Sequence, residues 1–193
     1  MVRAFLAIDL PSDLKKELFK LSKLTLPEGL KVKWVEEANF HLTLHFFGNL
    51  PETLIEKISK GGQRIFEPIS PFTLNIDEVG IFPVGGNPRV LWIGLKDQSN
   101  ILKEIDKKLR ELLKKLKLEK KEKFHPHITL FRIKELHDIR AFQDYFKRLQ
   151  EETQKIKGFS FPVKEIVFFK SELKPQGPVY TPLRVFPLRG GAL

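Results

Sequence analysis

One short pattern occurs twice in the chain. His41-Leu42-Thr43-Leu44 and His127-Ile128-Thr129-Leu130 each place a histidine and a threonine two residues apart inside an apolar run. Side chains on a strand alternate faces, so in each copy the imidazole and the hydroxyl share one side while the aliphatic residues take the other. The copies are 127 − 41 = 86 residues apart. The same offset joins two further apolar runs, Arg3-Ala4-Phe5-Leu6-Ala7-Ile8-Asp9-Leu10 and Arg89-Val90-Leu91-Trp92-Ile93-Gly94-Leu95, since 3 + 86 = 89. In both halves the run leads into a helical pattern and then into the histidine motif. Such a period is too long for a solenoid unit and predicts an internal duplication about a pseudo-two-fold axis. The expected organisation is one two-lobed domain over 1–193, with approximate repeats 1–86 and 87–193 and room for the lobes to exchange strands. The axis would bring both histidine strands to one cleft.

The rest of the chain fits an α+β class. Pro11-Ser12-Asp13 starts a helix on which Leu14, Leu18 and Leu21 share a face, and Pro27-Glu28-Gly29 breaks it. Lys31 to Val35 is extended, and the first histidine strand ends at Gly48. Asn49 is the expected cap of a second helix with Pro51 at its start, Leu54, Ile55 and Ile58 inward, and Gly61-Gly62 ending or kinking it. A strand from Phe72 to Phe82 precedes the loop Pro83-Val84-Gly85-Gly86-Asn87-Pro88 between the halves. In the second half Ile101, Ile105, Leu109, Leu112 and Leu116 mark a helix, and Ile139, Phe142, Phe146 and Leu149 another. Strands Phe159–Lys170 and Val179–Phe186 flank a loop over Ser171 to Pro178. Several strands join through short turns, so the sheets are expected to be mainly antiparallel, flanked by helices around a central cleft.

Two imidazoles converging on one cleft are the minimal kit for general acid–base catalysis, because histidine titrates near pH 6.5. One takes a proton from an attacking oxygen while the other gives a proton to the leaving oxygen; pseudo-symmetry leaves open which does which. Thr43 and Thr129 are suited to donate hydrogen bonds to charge developing on a central oxyanion. A phosphodiester, which needs attack and departure on opposite sides of phosphorus, suits a pair of flanking histidines, with no metal or other cofactor required. A lone His-x-Thr on an apolar strand usually belongs to a packed histidine; repetition beside a second matched strand is what favours the site. His125, His127 and His41 as a metal set is the alternative, with no nearby carboxylate to support it. His45 shares the His41 face under strict alternation and is expected to be a wall residue, and His137 a solvated one. Neither a Walker phosphate loop nor Gly-x-Ser-x-Gly occurs.

Composition sharpens the partner. There are 34 Lys and Arg against 24 Asp and Glu, a net charge of +10 with a pI near 9.7, which favours a polyanion such as nucleic acid. A lysine-rich surface of the thermophile kind would give the same balance. Half of the excess lies in 103–123, ten bases against five acids (10 − 5 = +5), on an amphipathic helix whose charged face is more simply a solvated one. The absence of cysteine excludes disulfides and thiolate metal sites. No apolar run approaches the roughly 18 residues that span a bilayer, and the first residues read as a strand, so a cytoplasmic monomer without membrane contact is expected.

These motifs resemble the two-histidine phosphoesterase superfamily, and within it the RNA 2′,3′-cyclic phosphodiesterase (2′-5′ RNA ligase) family. The likeness runs from Arg3-Ala4-Phe5-Leu6-Ala7-Ile8 through Trp34, Val35 and Asn39-Phe40-His41-Leu42-Thr43-Leu44-His45-Phe46-Phe47-Gly48 to Pro88-Arg89-Val90-Leu91-Trp92. It continues in Phe124-His125-Pro126-His127-Ile128-Thr129-Leu130-Phe131-Arg132, Ser171-Glu172-Leu173 and Tyr180. The resemblance implies a two-lobed fold whose cleft takes RNA ending in a 2′,3′-cyclic phosphate, tRNA halves among the candidates, and opens it to a 2′-phosphomonoester. It further implies His127 as proton acceptor, His41 as proton donor, and Thr43, Thr129 and Arg132 as phosphate ligands. Strict alternation would turn Arg132 to the core, so a bulge or the strand end has to redirect it. Phe131, where the family often has a small residue, and His125 depart from the pattern. A 5′-hydroxyl in place of water would join RNA through a 2′-5′ bond without ATP. The rivals are a nucleotide-assisted RNA ligase, which lacks its binding motif here, and a non-catalytic RNA-end binding module.

Overall fold

The computed structural model describes residues 1–191; the last two positions of the second expected repeat lie outside the described residues. Among these residues the strands are β1 (Val2–Asp9), β2 (Leu30–Trp34), β3 (His41–Leu50), β4 (Phe72–Phe82), β5 (Val90–Lys96), β6 (His127–Leu136), β7 (Ser160–Val163), β8 (Glu165–Lys174) and β9 (Gly177–Pro187). The helices are α1 (Ser12–Ser22), α2 (Glu52–Phe66), α3 (Ile101–Lys115) and α4 (Ile139–Thr153), with a 3-10 turn at Glu37–Asn39. All strand pairs are antiparallel and form one sheet in the order β7-β4-β5-β6-β3-β1-β8-β9, with β2 beside the far half of β6.

That order is mirrored about the β3–β6 junction: a histidine strand, a first strand, then two more on each side. The strand from the first half, β4, lies on the β6 side, while β8 and β9 from the second half lie on the β3 side, so the halves exchange strands. The junction is narrow. Leu42 opposite Ile128 is its one paired position, and both are fully buried. Complete burial of such a side chain stabilises by about 1.5–3 kcal/mol.

One sheet face carries all four helices. Leu14 and Leu18 of α1, Ile58 and Phe66 of α2, Ile105 and Leu109 of α3 and Phe142 and Leu149 of α4 join Ala4, Leu6, Ile8, Leu42 and Ile128 in one core cluster. Phe5, Ala7, Val167 and Phe169 form a smaller cluster with Tyr180 on the opposite, helix-free face. Strand alternation in β1, with Ala4, Leu6 and Ile8 one way and Phe5 and Ala7 the other, divides the two clusters.

Several expected boundaries shift. Helix α2 runs straight through Gly61-Gly62, because the pair serves packing: a Cβ on Gly61 would stand 2.5 Å from Leu112 of α3, and one on Gly62 2.9 Å from Phe186 of β9. Asn49 belongs to β3, and Pro51 takes the N-cap place without a side-chain cap. The expected strand Phe159–Lys170 is broken at Lys164, since β7 pairs with β4 while β8 pairs with β1 and β9 on the other side. The segment Ser171–Pro178 is no loop, because β8 and β9 stay paired up to Lys174 opposite Gly177. In α4 the buried residues are Phe142, Tyr145, Leu149 and Thr153, while Ile139 is 47% exposed in the first turn, where Asp138 accepts from the amides of Arg140 and Ala141. In α3 the buried stripe is Leu102, Ile105, Leu109 and Leu113, with Leu112 and Leu116 at its margin.

Candidate active site

Both histidines open their strands, His41 on β3 and His127 on β6, on the helix-free face. Counting outward from Leu42 opposite Ile128, His41 lies across from Thr129 and Thr43 across from His127. Each half's imidazole therefore faces the other half's hydroxyl, which is what the expected axis demands.

The two imidazoles are held in the same way. His41 Nδ1 lies 2.6 Å from the carbonyl oxygen of Asn39, and His127 Nδ1 lies 2.6 Å from that of His125. A carbonyl only accepts, so each Nδ1 carries the proton and donates it, leaving Nε2 as the reactive atom. His41 Nε2 is 2.9 Å from Thr43 Oγ1. The two residues that supply these carbonyls, Asn39 and His125, are themselves related by 39 + 86 = 125, so the tether obeys the same offset as the motif. Asn39 is anchored by its side-chain amide, which donates to the Pro178 carbonyl at 2.9 Å.

Burial lowers the pKa of both imidazoles from 6.5, the Asn39 and His125 carbonyls opposing it by stabilising the protonated rings. Asp9 also raises His41, while Lys15 and His127 lower it; His125 and Arg132 lower His127. Asp9 is paired with Lys15 at 2.8 Å, which moderates its effect. Both rings are thus neutral in the free protein near pH 7, as a general base must be. An anionic phosphate between them would raise both, as a general acid requires.

Bulges decide which other residues join the site. Along β5–β6 the register passes from Trp92 opposite Thr129 to Leu91 opposite Phe131, so Leu130 is the extra residue. Alternation reverses there: Leu130 and Phe131 are both buried, and Arg132 emerges on the face of His127 and Thr129, as a phosphate ligand would have to. Phe131 accordingly packs in the core, edge-on to Trp34 at 5.3 Å. The same bulge recurs along β1–β3, where Ala7 faces Thr43 and Leu6 faces His45, leaving Leu44 extra. His45 is therefore turned to the helix face and is no wall of the cleft. Its surroundings are Asp106, Arg110 and Lys120, and burial with the two cations lowers its pKa to about 4. Phe46 takes the cleft position that Arg132 occupies in the other half, since 46 + 86 = 132, and Arg3 lies over its ring at 4.5 Å.

The bulge carbonyls are tethered differently. Leu130 O accepts from the backbone of Val35, just beyond β2, at 3.4 Å. Among the described residues no strand occupies the equivalent place beside β3; there Lys120 Nζ donates to Leu44 O at 2.8 Å and pairs with Asp106, which Arg110 also holds at 2.9 Å. The pairings also show that the first strands match at an offset of 85 rather than 86, because Ala7 faces Thr43 while Trp92 faces Thr129 (92 − 7 = 85).

Aromatic walls complete both sides. Phe5 lies 5.0 Å and Tyr180 5.3 Å from the His41 ring; Phe82 lies 5.2 Å from His127, and His125 packs on Trp92 at 4.6 Å. A cavity of about 690 Å³ adjoins His41, lined in part by Asp9, Glu36, Asn39, Phe169, Gln176 and Tyr180. The metal set of His125, His127 and His41 does not form: among the described residues no three His, Cys, Asp or Glu side chains come together as such a set requires. His137 lies apart on the surface, 3.1 Å from Glu135. The lysine-rich α3 packs on the helix-covered face, away from both motif histidines. No helix among the described residues is long and apolar enough to cross a membrane.

Comparison with known proteins agrees with this geometry. The sequence profile of the LigT-like phosphoesterase family matches twice, over 8–92 and 93–180. An RNA 2′,3′-cyclic phosphodiesterase of Methanocaldococcus jannaschii is 34% identical over 182 residues, covering 93% of this chain and 96% of that protein. Another, from Thermotoga maritima, is 29% identical and spans 100% of this chain and 98% of its own. Among solved structures, a protein of Thermus thermophilus superposes with a TM-score of 0.79 at 29% identity, covering 98% of this chain and 100% of that one. Escherichia coli LigT complexed with 3′-AMP gives 0.76 at 28% identity, with 97% and 98% covered. A duplicated antiparallel sheet, paired His-x-Thr strands at its centre and a profile that matches each half in turn make this chain a member of the LigT-like phosphoesterase family.

Proposed function

We propose that the protein hydrolyses the 2′,3′-cyclic phosphate at RNA ends to a 2′-phosphomonoester, without a metal, by acid–base catalysis between His41 and His127. The observation that carries this reading is the shared tether: both Nδ1 atoms are spent on a carbonyl, so two Nε2 atoms from opposite halves are left for proton transfer. The names of the relatives from M. jannaschii and T. maritima support the substrate, and the 3′-AMP complex of E. coli LigT supports a nucleotide in the cleft.

In this reading His127 Nε2 takes the proton of a water that attacks phosphorus opposite the 3′-oxygen. The P–O3′ bond breaks, and His41, charged by the arriving phosphate, gives its Nε2 proton to the departing 3′-oxygen. Thr43 and Thr129 donate to the phosphoryl oxygens, and Arg132 offsets their charge. Each proton-transfer role is worth about 10²–10⁴ in rate. A 5′-hydroxyl in place of water would yield a 2′-5′ linkage by the same two transfers. The chain is proposed to act as a cytoplasmic monomer, with tRNA halves among its substrates.

The test is turnover of a short RNA ending in a 2′,3′-cyclic phosphate, in chelator, with the product phosphate located. We expect a 2′-phosphate and at least about a 100-fold loss of rate in His41→Ala and in His127→Ala. Activity surviving both substitutions, or abolished by chelator alone, would overturn the reading.

A further inference from the structure

We propose that the cavity beside His41 is the subsite for the terminal nucleoside, and that it disfavours uracil. The inference rests on the assignment of His41 as the acid. The leaving 3′-oxygen belongs to the nucleoside that bears the cyclic phosphate, so that nucleoside must lie on the side of the proton donor. The His41 side is where a cavity of suitable size lies, about 690 Å³. The other wall is taken up by its own side chains: Trp92 packs over Gly80, with Phe82 at 5.1 Å and His125 at 4.6 Å from its ring.

The lining matches a nucleoside rather than a second phosphate. Tyr180, half-buried and held edge-on by Phe5 at 4.8 Å, is an aromatic surface for a base. The carboxylates of Asp9 and Glu36 repel phosphate and accept hydrogen bonds from N–H and O–H groups, and the lysine of the lining, Lys174, is paired with Glu172 at 3.3 Å. Asp9 is committed to Lys15 and lies next to His41, where a ribose would stand. Glu36 has no cation within pairing distance among the described residues and sits at the rim, against the turn that carries Gln176 and Gly177. A carboxylate there favours bases that present an amino group on their Watson–Crick edge, which guanine, adenine and cytosine do. Uracil offers one N–H between two carbonyl oxygens, and those oxygens face the carboxylate unfavourably.

Binding of guanosine 2′-monophosphate, uridine 2′-monophosphate and ribose 2-phosphate, measured by calorimetry on wild type, Glu36→Gln, Gln176→Ala, Tyr180→Leu and Phe82→Leu, tests this. Wild type is expected to bind the guanine nucleotide at least about tenfold more tightly than the base-free sugar, as base stacking on an aromatic ring implies. Uridine 2′-monophosphate should lie between them. Glu36→Gln should narrow the guanine–uracil gap, and Tyr180→Leu should weaken both nucleotides without affecting ribose 2-phosphate. Glu36 and Gln176 are exposed, so their substitution leaves the core intact. Equal affinities for all three probes, or unchanged selectivity in Glu36→Gln, would overturn the subsite. Loss of selectivity on substituting Phe82 instead would place the nucleoside on the His127 side. Because binding is read without turnover, a failed subsite and a failed catalytic assignment give different results.

Discussion

At the scale of residues, the fixed Nδ1 tethers explain how two histidines in nearly equivalent strands are aimed, while burial, against the pull of those same carbonyls, keeps them neutral. The third histidine of these strands, His45, is tuned by a different environment and has a different consequence. Its pKa falls from 6.5 to about 4 on folding, so the native state resists a proton that the unfolded chain binds. Its contribution to stability is therefore unchanged above pH 6.5 and is lost progressively as pH falls from 6.5 to about 4. His41 and His127, also lowered, act in the same sense. The corresponding residue in the other half is Phe131 (45 + 86 = 131), which predicts that His45→Phe folds and shows a shallower decline of Tm across that range. An identical acid limb in the variant would contradict the assignment. Arg132→Gln should weaken RNA binding while reducing the salt dependence of log K by about one unit of charge, read from affinities at several salt concentrations.

At the scale of elements, the two bulges are what convert ordinary alternation into a site. Arg132 shows what strand alternation could anticipate: a bulge or the strand end was needed to turn it to the cleft face, and the bulge lies at Leu130. His45 shows where it failed, because the same bulge at Leu44 turns it away, and periodicity alone carries no sign of an extra residue. An exchange of strands between the halves was allowed for by the duplication, but that β4 crosses one way and β8 and β9 the other was not legible, since it depends on which sheet edge each strand finds. The tether on Leu44 is a single ammonium, 7% exposed, where the other half uses a backbone amide. Lys120→Met should cost about 1–3 kcal/mol in denaturant unfolding, from the unsatisfied carbonyl and the weakened hold on Asp106. It should also lower kcat more than it raises KM, because Thr43 and His41 lie just before the bulge. A variant with wild-type stability and kcat would show that the bulge needs no tether.

At the scale of the whole molecule, duplication provides symmetry where the chemistry needs it and breaks it where the substrate is asymmetric. His41 and His127, Thr43 and Thr129, and Leu44 and Leu130 correspond across the halves, and the 86-residue offset made them legible. Phe46 against Arg132, Asn39 against His125, and the cavity beside His41 make the two sides of the site unlike, as a reaction with distinct attacking and leaving oxygens would require. The central claim is that His41 donates a proton to the 3′-oxygen while His127 receives one. It is tested most directly with a 2′,3′-cyclic phosphate whose 3′-oxygen is replaced by sulfur, a leaving group that departs without protonation. The prediction is that His41→Ala regains most of the wild-type rate on this substrate while His127→Ala remains impaired. Rescue of His127→Ala instead, or of neither variant, would contradict the account.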